Sequence, residues 1–398
     1  MEFEYSNRVK TLRPSIVREL LRQMSDPSLI SFAGGNPAAE AFPVEDISRI
    51  SQQLLTQDPV GTMQYSVTEG TDALRLAAEK FLNRNWAVKK SEDSLLVLSG
   101  SQQVMDLLTR LLCNEGDIIA TEDPAFLGAL NSFMGLGAVL RPVPVLQDGP
   151  DLALLEEAFA QQPRPKFFYT IPNFQNPTGR TMSLEKRKAI AALSAKYNIP
   201  VLEDDPYGAL RFSGQELPPI KSFDTKGLVV YAASMSKILA PGMRVAFCVG
   251  DAGLLAKMAV AKQTVDVHTC LWSQRVCEQF LTTCDVSAHL ARISKLYGAR
   301  AHHMLNALHQ QLGDKMLIEE PQGGMFLWAR LPDGVSMEDF VAKALQEKIA
   351  VVPGGAFFAD PQKAADCKYV RLNFSSPSLQ QIDQGAEKLG RVMNSLLG

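Results

Sequence analysis

The chain of 398 residues, with 46% hydrophobic and 21% charged residues, has the length of two or three domains and the composition of an ordinary globular protein. Its formal net charge of -3 gives no reason to expect a nucleic acid as a partner. The 6 cysteines form no CxxC pair and the 5 histidines form no HExxH pattern, which argues against a disulfide framework and against a metal site. The N-terminus "MEFEYSNRVK" lacks the apolar region of a signal peptide, and no run reaches membrane-spanning length. We therefore expect a cytoplasmic protein with no membrane partner.

From about residue 94 to residue 285, short apolar runs alternate with segments of helical period. The runs are "SLLVLSG", "DIIAT", "AVLRPVPV", "KFFYTI", "IPVLED", "LVVYAA" and "VAFCVG". Between them, "SQQVMDLLTRLLC" has one apolar face at helical spacing, and Ser183 can cap a helix over "LEKRKAIAALSAKYN". Apolar runs of strand length separated by helices predict an α/β fold with a mostly parallel central sheet covered by helices on both faces.

The character of the sequence changes near residue 286. A long amphipathic segment that begins at "SAHLARISKLYG" predicts a helix, and "GGMFLWARL", "KIAVVPGGAFF" and "YVRLNFS" predict strands before a terminal helix. This pattern predicts a smaller α+β unit. We expect three parts, namely an N-terminal segment of residues 1–48, a large domain of residues 49–285 and a small C-terminal domain of residues 286–398.

Polar, glycine-rich and charged stretches follow the predicted strands. They are "GSQQ" (100–103), "EDPAF" (122–126), "NFQNPTG" (173–179), "EDDPY" (203–207) and "SMSKILAPGMR" (234–244). In open parallel sheets, ligands bind beyond the carboxyl ends of the strands. The sequence therefore predicts that these stretches converge on one cleft.

The residue types in these stretches suit a phosphorylated aldehyde. Gly100 breaks a strand and opens a helix whose free N–H groups form an anion site or an ordinary cap, while Arg244 offers a fork that matches phosphate. Lys237, if it is desolvated at its strand end, becomes a nucleophilic amine suited to Schiff-base chemistry, although a lysine in this place also snorkels to solvent. Asp204 fits either a solvated loop acid or a partner that keeps a pyridine nitrogen protonated.

Five motifs in order give the chain a family resemblance. "NPTG", the DxxY of Asp204 to Tyr207, SxSK with Arg244 beyond it, and "RLNFS" resemble the class I aminotransferases, which are pyridoxal-phosphate enzymes of the aspartate-aminotransferase fold (fold type I). The resemblance extends from "FAGGNP" at residue 32 to "RLNF" at residue 374, and "YSVTEGTDALR" and "PQGGMFLWARL" fit it. The chain most resembles the branch of 2-aminoadipate, kynurenine and broad aromatic or branched-chain aminotransferases.

The resemblance implies pyridoxal 5'-phosphate as the cofactor. Lys237 would form the Schiff base and then move the proton between the substrate and the cofactor, and Asp204 would pair with the pyridinium nitrogen. Asn176 and Tyr207 would hydrogen-bond the phenolic oxygen of the ring. Phe126 stands where the family commonly has a tyrosine stacked on the ring, so it keeps the stacking but lacks the hydroxyl.

The family's remaining site residues also have counterparts here. The phosphate would be held by Gly100, Ser101, Gln102, Ser234, Ser236 and Arg244. Arg371 would clamp the substrate α-carboxylate through two parallel hydrogen bonds, with Asn176 and Gly35 in the same pocket. Tyr65 would reach the phosphate in the neighbouring subunit, which implies a homodimer with shared active sites. The N-terminal segment would cover the active site and join the small domain.

The implied reaction moves the amino group of an aromatic, branched-chain or 2-aminoadipate-like L-α-amino acid to a 2-oxo acid, with 2-oxoglutarate expected, by a ping-pong mechanism through pyridoxamine phosphate. A C–S β-lyase on the same fold would share nearly every cofactor residue. A ligand-sensing domain of a transcription regulator is disfavoured because no basic module precedes the aminotransferase-like sequence. Arg18 and Arg22 are one helical turn apart and either contact an acidic substrate side chain or lie exposed on a surface helix.

Overall fold

A computed structural model describes residues 3–6 and 28–398 of the chain. Arg18 and Arg22 lie outside the described residues, so the hypothesis that one of them meets the substrate stays a prediction. None of the helices within these two ranges is long and apolar enough to cross a lipid bilayer. All 6 cysteines lie in the second range, and none of them is bonded to another.

Most strands coincide with the predicted apolar runs. In chain order the strands are β1 (Ile30–Ser31), β2 (Asp93–Leu98), β3 (Ile118–Asp123), β4 (Val139–Leu146), β5 (Gly149–Pro150), β6 (Phe168–Thr170), β7 (Val201–Asp205), β8 (Val229–Ser234), β9 (Ala246–Asp251), β10 (Leu317–Ile318), β11 (Phe326–Arg330), β12 (Ile349–Ala350), β13 (Val352–Pro353) and β14 (Tyr369–Asn373). The two-residue strands β1, β5 and β10 were not predicted.

The α-helices lie between the strands, as the helical period predicts. In chain order they are α1 (Val44–Gln57), α2 (Pro59–Met63), α3 (Asp72–Leu82), α4 (Ser101–Leu112), α5 (Leu127–Gly135), α6 (Leu152–Ala160), α7 (Leu184–Tyr197), α8 (Ala252–Gln263), α9 (Leu271–Thr283), α10 (Val286–Leu312), α11 (Met337–Gln346), α12 (Pro361–Asp366) and α13 (Leu379–Leu397).

The large sheet has the strand order β2-β9-β8-β7-β6-β3-β4-β5. From β8 to β4 neighbouring strands are parallel, whereas β9 runs antiparallel to both β8 and β2. Consecutive side chains point to opposite faces, so Phe168 joins the apolar core under α6 and α7 while Tyr169 joins the core on the other face. This sheet, covered on both faces, is the predicted α/β architecture.

A second, antiparallel sheet with the order β10-β11-β14-β13 lies in the C-terminal part of the chain, where α10 packs against α13. The N-terminal strand β1 pairs in parallel with β12, so the segment that follows β1 is tied to this part of the fold. The predicted smaller α+β unit is therefore present.

Local sequence signals account for the helix ends that position the site. Ser183 caps α7 by accepting a hydrogen bond from the backbone N–H of Lys186 at 3.3 Å, as predicted. Gly100 adopts φ +88°, a conformation that L side chains rarely adopt, and so turns the chain from β2 into α4. The turn directs the first N–H groups of α4 towards the carboxyl ends of the parallel strands.

Candidate active site

The stretches that follow β2, β6, β7 and β8 meet the C-terminal sheet at the carboxyl edge of the large sheet. Contacts across this region join residues that are far apart in sequence, such as Asn176 with Arg371 and Lys237 with Gly35. The predicted cleft residues are therefore close together in space.

An anion cradle lies at the start of α4. The guanidinium of Arg244 packs so closely on Gly100 that a methyl group at residue 100 would collide with it. The Arg244 Nη2 atom is 3.4 Å from the carbonyl oxygen of Ser99, and the Ser234 hydroxyl accepts a bond from the Ser236 N–H at 3.2 Å. A helix N-terminus with a guanidinium packed against it suits a phosphate group.

Three further predicted residues border this cradle. The side-chain amide of Gln102 donates to the carbonyl oxygen of Gly128 at 2.8 Å, and Ser101 is the first residue of α4. Phe126 directly precedes α5, and its ring lies over Gly128 so closely that any side chain there would collide with it. The aromatic ring and the helix terminus therefore lie side by side, as a phosphorylated aromatic ligand requires.

Lys237 ends the short 3₁₀ turn of Met235–Lys237, directly after β8. Its Nζ atom donates to the carbonyl oxygen of Gly35 at 2.8 Å. Burial, together with the positive charges of Arg244 and Arg371, lowers the Lys237 pKa to about 8. A larger fraction of this amine than of an ordinary lysine is therefore uncharged near neutral pH and available as a nucleophile.

Asp204 lies on β7 and is almost completely buried. Its Oδ2 atom accepts a hydrogen bond from the Tyr169 hydroxyl at 3.0 Å, whereas its buried Oδ1 atom has no hydrogen-bond partner among the described residues. Burial raises the Asp204 pKa to about 7, which the Tyr169 hydrogen bond opposes. A buried acceptor without a donor is costly, so this oxygen fits an N–H group of a ligand such as a protonated pyridine ring. The residues present therefore fit pyridoxal 5'-phosphate.

Asn176 and Tyr207 lie next to each other, with 3.4 Å between the Asn176 Nδ2 atom and the Tyr207 hydroxyl. Both side chains are buried, and burial raises the Tyr207 pKa above its usual value, so its hydroxyl stays protonated. The Tyr207 ring packs edge-on against Phe326, with 6.0 Å between the ring centroids. Two neutral donors are thus available to one ligand oxygen.

Arg371 projects from β14 and is 4% exposed. It donates to the Asn176 Oδ1 atom at 2.9 Å and to the Ala33 carbonyl oxygen at 2.7 Å, and its buried Nε atom has no partner within the described ranges. The guanidinium lies 4.2 Å from the ring centroid of Phe326 and 4.9 Å from that of Phe357. Burial lowers its pKa to about 10, so the group stays cationic at neutral pH and can bind a carboxylate.

Tyr65 lies on the surface of the chain, 81% exposed, with its ring edge-on to His268 at a centroid distance of 5.8 Å. The predicted contact with a neighbouring subunit needs such exposure, but a single chain does not test it.

Three residues near the site escaped the sequence analysis, namely Tyr169, Phe326 and Phe357. A tyrosine inside an otherwise apolar buried run, as in "KFFYTI", signals a hydroxyl that needs a partner, and this signal could have indicated Tyr169. The two phenylalanines gave no such signal, because aromatic residues in buried strands usually pack in the core.

Comparison with known proteins identifies the family. The chain matches the family described as aminotransferase class I and II over residues 27–389. It is 36% identical over 394 residues to aromatic-amino-acid aminotransferase 1 of Thermococcus litoralis, with 98% of this chain and 94% of the relative covered. It is also 36% identical over 389 residues to 2-aminoadipate transaminase of Thermus thermophilus, with 97% and 95% covered.

A solved structure agrees with this assignment. Kynurenine aminotransferase of Pyrococcus horikoshii, determined in complex with PMP, superposes with a TM-score of 0.93 at 35% sequence identity, covering 99% of this chain and 98% of that chain. The chain therefore belongs to the class I and II aminotransferase family. It is a transaminase of fold type I with pyridoxal 5'-phosphate as its cofactor, and the predicted family, fold class and cofactor are confirmed.

Proposed function

We propose that this transaminase moves the amino group of an L-α-amino acid with an aromatic, branched-chain or 2-aminoadipate-like side chain to a 2-oxo acid, with 2-oxoglutarate as an acceptor. The two half-reactions alternate in one site by a ping-pong mechanism. The observation that carries the proposal is the meeting of an amine of lowered pKa, Lys237, with the cationic fork of Arg371 at the carboxyl edge of the sheet.

The donor class rests on the surroundings of Arg371. The rings of Phe326 and Phe357 flank the guanidinium, so a side chain attached next to the bound carboxylate meets apolar surface. The relatives named for aromatic amino acids, 2-aminoadipate and kynurenine support the same class.

The roles of the chain's own residues follow from their chemistry. When bound, the cofactor supplies an aldehyde that joins the amine and a ring that accepts electrons from the substrate Cα. Lys237 removes the proton from the Cα atom through Nζ, because about half of its amine is neutral near its pKa of about 8. Asp204 holds the proton on the ring nitrogen through Oδ1, and Asn176 and Tyr207 donate to the phenolic oxygen.

The remaining contacts orient the two ligands. Arg371 holds the α-carboxylate, next to Asn176 and the backbone of Gly35, and so presents the Cα–H bond to Lys237. Phe126 would stack on the ring. The residues that would hold the phosphate are Gly100, Ser101, Gln102, Ser234, Ser236 and Arg244, at the start of α4, at the end of β8 and in the loops after it.

The division into parts follows the sheets. A large domain of residues 49–285 contains the cofactor residues, and a small domain of residues 286–398 contains Arg371. The N-terminal segment of residues 1–48 forms the third part, and its described residues 28–48 border the site, because the carbonyl groups of Ala33 and Gly35 contact Arg371 and Lys237 and because β1 pairs with β12.

The active enzyme is a homodimer in which Tyr65 reaches the phosphate bound by the partner subunit. Its exposure supports this, since the neighbouring apolar side chains of Val60, Met63 and Val67 are exposed as well. The unpaired state of the 6 cysteines favours a cytoplasmic enzyme.

A single-turnover experiment tests the function. The cofactor-loaded protein is mixed with phenylalanine, leucine, 2-aminoadipate or aspartate in the absence of an acceptor, and the 2-oxo acid released is counted per site. We expect about one 2-oxo acid per active site, no ammonia, and faster reaction with the first three amino acids than with aspartate. Adding 2-oxoglutarate should then restart release.

Aspartate as the fastest donor would overturn the donor class. Continuous formation of pyruvate and ammonia from cystathionine, without an acceptor, would show a C–S lyase instead.

A further inference from the structure

The Tyr169 hydroxyl reaches Asp204 across two neighbouring strands. Tyr169 on β6 stands directly opposite Leu202 on β7, and Asp204 lies two residues further along β7 on the same face. The hydroxyl therefore crosses diagonally to the Asp204 Oδ2 atom, at 3.0 Å. Both side chains are buried, so water does not compete for this hydrogen bond.

The Tyr169 ring has a fixed position. Phe133 from α5 packs edge-on against it, with 5.4 Å between the centroids and 73° between the planes, and Thr121 on β3 lies opposite it on the other side. Burial raises the Tyr169 pKa well above its usual value, so the phenol is a neutral donor at neutral pH.

This one hydrogen bond makes the two oxygens of Asp204 different. Oδ2 has a donor, whereas Oδ1 has none among the residues that the structure describes. The titratable groups that act on Asp204 are Tyr169, Glu122 on β3, Tyr207, and Asp205, the next residue on β7. Burial and the two acids favour the protonated form of Asp204, and the Tyr169 hydroxyl favours the carboxylate.

We propose that Tyr169 is a positioning residue for the cofactor: its hydroxyl anchors Oδ2 of Asp204, and so turns the free, ionised Oδ1 towards the ring nitrogen. Tyr169 does not itself touch the cofactor. The inference rests on the proposed role of Asp204. According to this inference, β6, the strand before "NPTG", affects how strongly Asp204 binds the ring nitrogen.

The adjacent residue provides a matched control. Asp205 accepts a hydrogen bond from the Tyr231 hydroxyl at 2.8 Å, but it also accepts one from the Gly208 N–H at 2.8 Å and one from the Asn173 side chain at 3.1 Å. Tyr231→Phe therefore deletes the same hydroxyl from a buried tyrosine, next to an acid on the opposite face of β7 that keeps other donors.

The test compares two ligands at equilibrium. The apoprotein is titrated with pyridoxal phosphate and with an analogue that has a C–H group in place of the ring nitrogen, and each dissociation constant is measured. Tyr169→Phe should weaken binding of pyridoxal phosphate about tenfold and binding of the analogue less than about twofold, because only the first ligand has an N–H donor for Asp204. Tyr231→Phe should change neither constant by more than about twofold.

A purely structural role predicts a different outcome. If Tyr169→Phe weakened both ligands equally, the hydroxyl would matter for packing alone and the proposal would be overturned. Tyr169→Met, which removes the donor with a flexible side chain, should give the same loss specific to the nitrogen. This second variant keeps the test decisive should the phenylalanine variant fail to fold.

A third variant separates this inference from the proposed function. Asp204→Asn should abolish the preference for the ring nitrogen, that is, the tighter binding of pyridoxal phosphate than of the analogue. If it does so while Tyr169→Phe retains the preference, the role of Tyr169 is wrong and the role of Asp204 stands. If Asp204→Asn leaves the preference intact, the proposed role of Asp204 itself is wrong.

Discussion

Buried charges lie at both edges of the large sheet, and the protein surrounds them in different ways. At the amino edge, the Lys221 Nζ atom donates to Asp93 at 2.9 Å and to Asp224 at 3.0 Å. Asp93 also accepts from the backbone N–H of Lys90, and Asp224 from that of Val229, each at 3.0 Å. In this cluster the lysine has two charged acceptors, and each acid has the lysine and a backbone N–H group as donors.

At the carboxyl edge the charges are left short of partners. Within the described part of the chain, neither Oδ1 of Asp204 nor Nε of Arg371 has a hydrogen-bond partner. Lys237 donates to a neutral carbonyl oxygen, that of Gly35. These three groups are the ones to which the proposed function assigns the ring nitrogen, the α-carboxylate and the proton transfer.

Two consecutive residues of β7 show that burial alone does not mark a functional group. Burial raises the pKa of both Glu203 and Asp204 to about 7. The two carboxylate oxygens of Glu203 accept from the backbone N–H groups of Ile220 and Lys221, each at 2.8 Å, whereas Asp204 keeps a free oxygen among the described residues. An acid saturated with donors has no oxygen left for a ligand, and an unsaturated one is available to it.

The largest effect should follow from removing the reactive amine. Lys237→Ala should lower the transamination rate by at least about 10⁴-fold, since the nucleophile and the proton carrier are both lost. The free energy of unfolding of the apoprotein should not fall, because the substitution also removes the free-energy cost of burying the amine away from water. Rate and urea denaturation are measured together. Near-normal turnover in this variant would refute the assignment of Lys237.

The lysine of the amino edge should respond in the opposite way. Lys221→Met should lower the free energy of unfolding by about 3–5 kcal/mol, because Asp93 and Asp224 stay buried without their cation. Cofactor affinity of the folded fraction should not change. The exposed Lys257 gives the control, and Lys257→Met should cost less than about 0.5 kcal/mol in urea denaturation. Equal stability of the two variants would contradict the comparison.

Substitutions of Arg371 test the role of a buried cation that lacks a hydrogen-bond partner at Nε among the described residues. Arg371→Ala should weaken amino-acid binding about 100-fold, because the carboxylate loses a charged two-pronged partner, and should leave cofactor affinity within about threefold. Arg371→Lys keeps the charge but loses the fork, so we expect an intermediate loss. Binding of both ligands is measured by titration. Loss of cofactor affinity with retained substrate affinity would show that the carboxylate role is wrong.

The smallest effect concerns stability against pH. Glu122, Glu203 and Asp204 all have pKa values raised to about 7, so the folded apoprotein holds more protons than the unfolded chain between pH 4.5 and 7. Its free energy of unfolding should therefore fall as the pH rises through this window, and level off above it.

The Asp204→Asn substitution removes one of these three acids, and with it the free-energy cost of ionising that acid in the folded protein. Asp204→Asn should stabilise the apoprotein by about 2 kcal/mol at pH 8 and have little effect at pH 4. Glu203→Gln should instead destabilise it, since the new NH₂ group faces a backbone donor. Urea denaturation at the two pH values gives both results, and stabilisation by Glu203→Gln would break the distinction between the two acids.

The sequence predicted most of the secondary structure, which follows from repeating patterns of apolar residues along the chain. Apolar runs indicated the strands from β2 to β9 except β5, and the resemblance to the class I aminotransferases indicated Lys237, Asp204 and Arg371 before any contact was known. What escaped depends on which strands are neighbours and in what register. The pairing of Tyr169 with Asp204 exists because β6 lies beside β7 with Tyr169 opposite Leu202, and the period of side chains along one strand contains no information on that.

Whether a buried charged group has all of its hydrogen-bond partners could not be predicted either. Asp93, Asp204 and Asp205 look alike in sequence, and their difference lies in donors from distant segments. In the same way, the close approach of Arg244 to Gly100 joins residues from two separate loops, and neither loop indicates it alone.

An acid left short of donors ties the lifetime of the folded chain to the supply of its cofactor. A ligand that binds the native state alone shifts the folding equilibrium by mass action, and proteases remove chains in proportion to the time they spend unfolded. When pyridoxal phosphate is scarce, chains without the cofactor, in which the Asp204 oxygen is unpaired, should therefore be degraded faster than chains that have bound it.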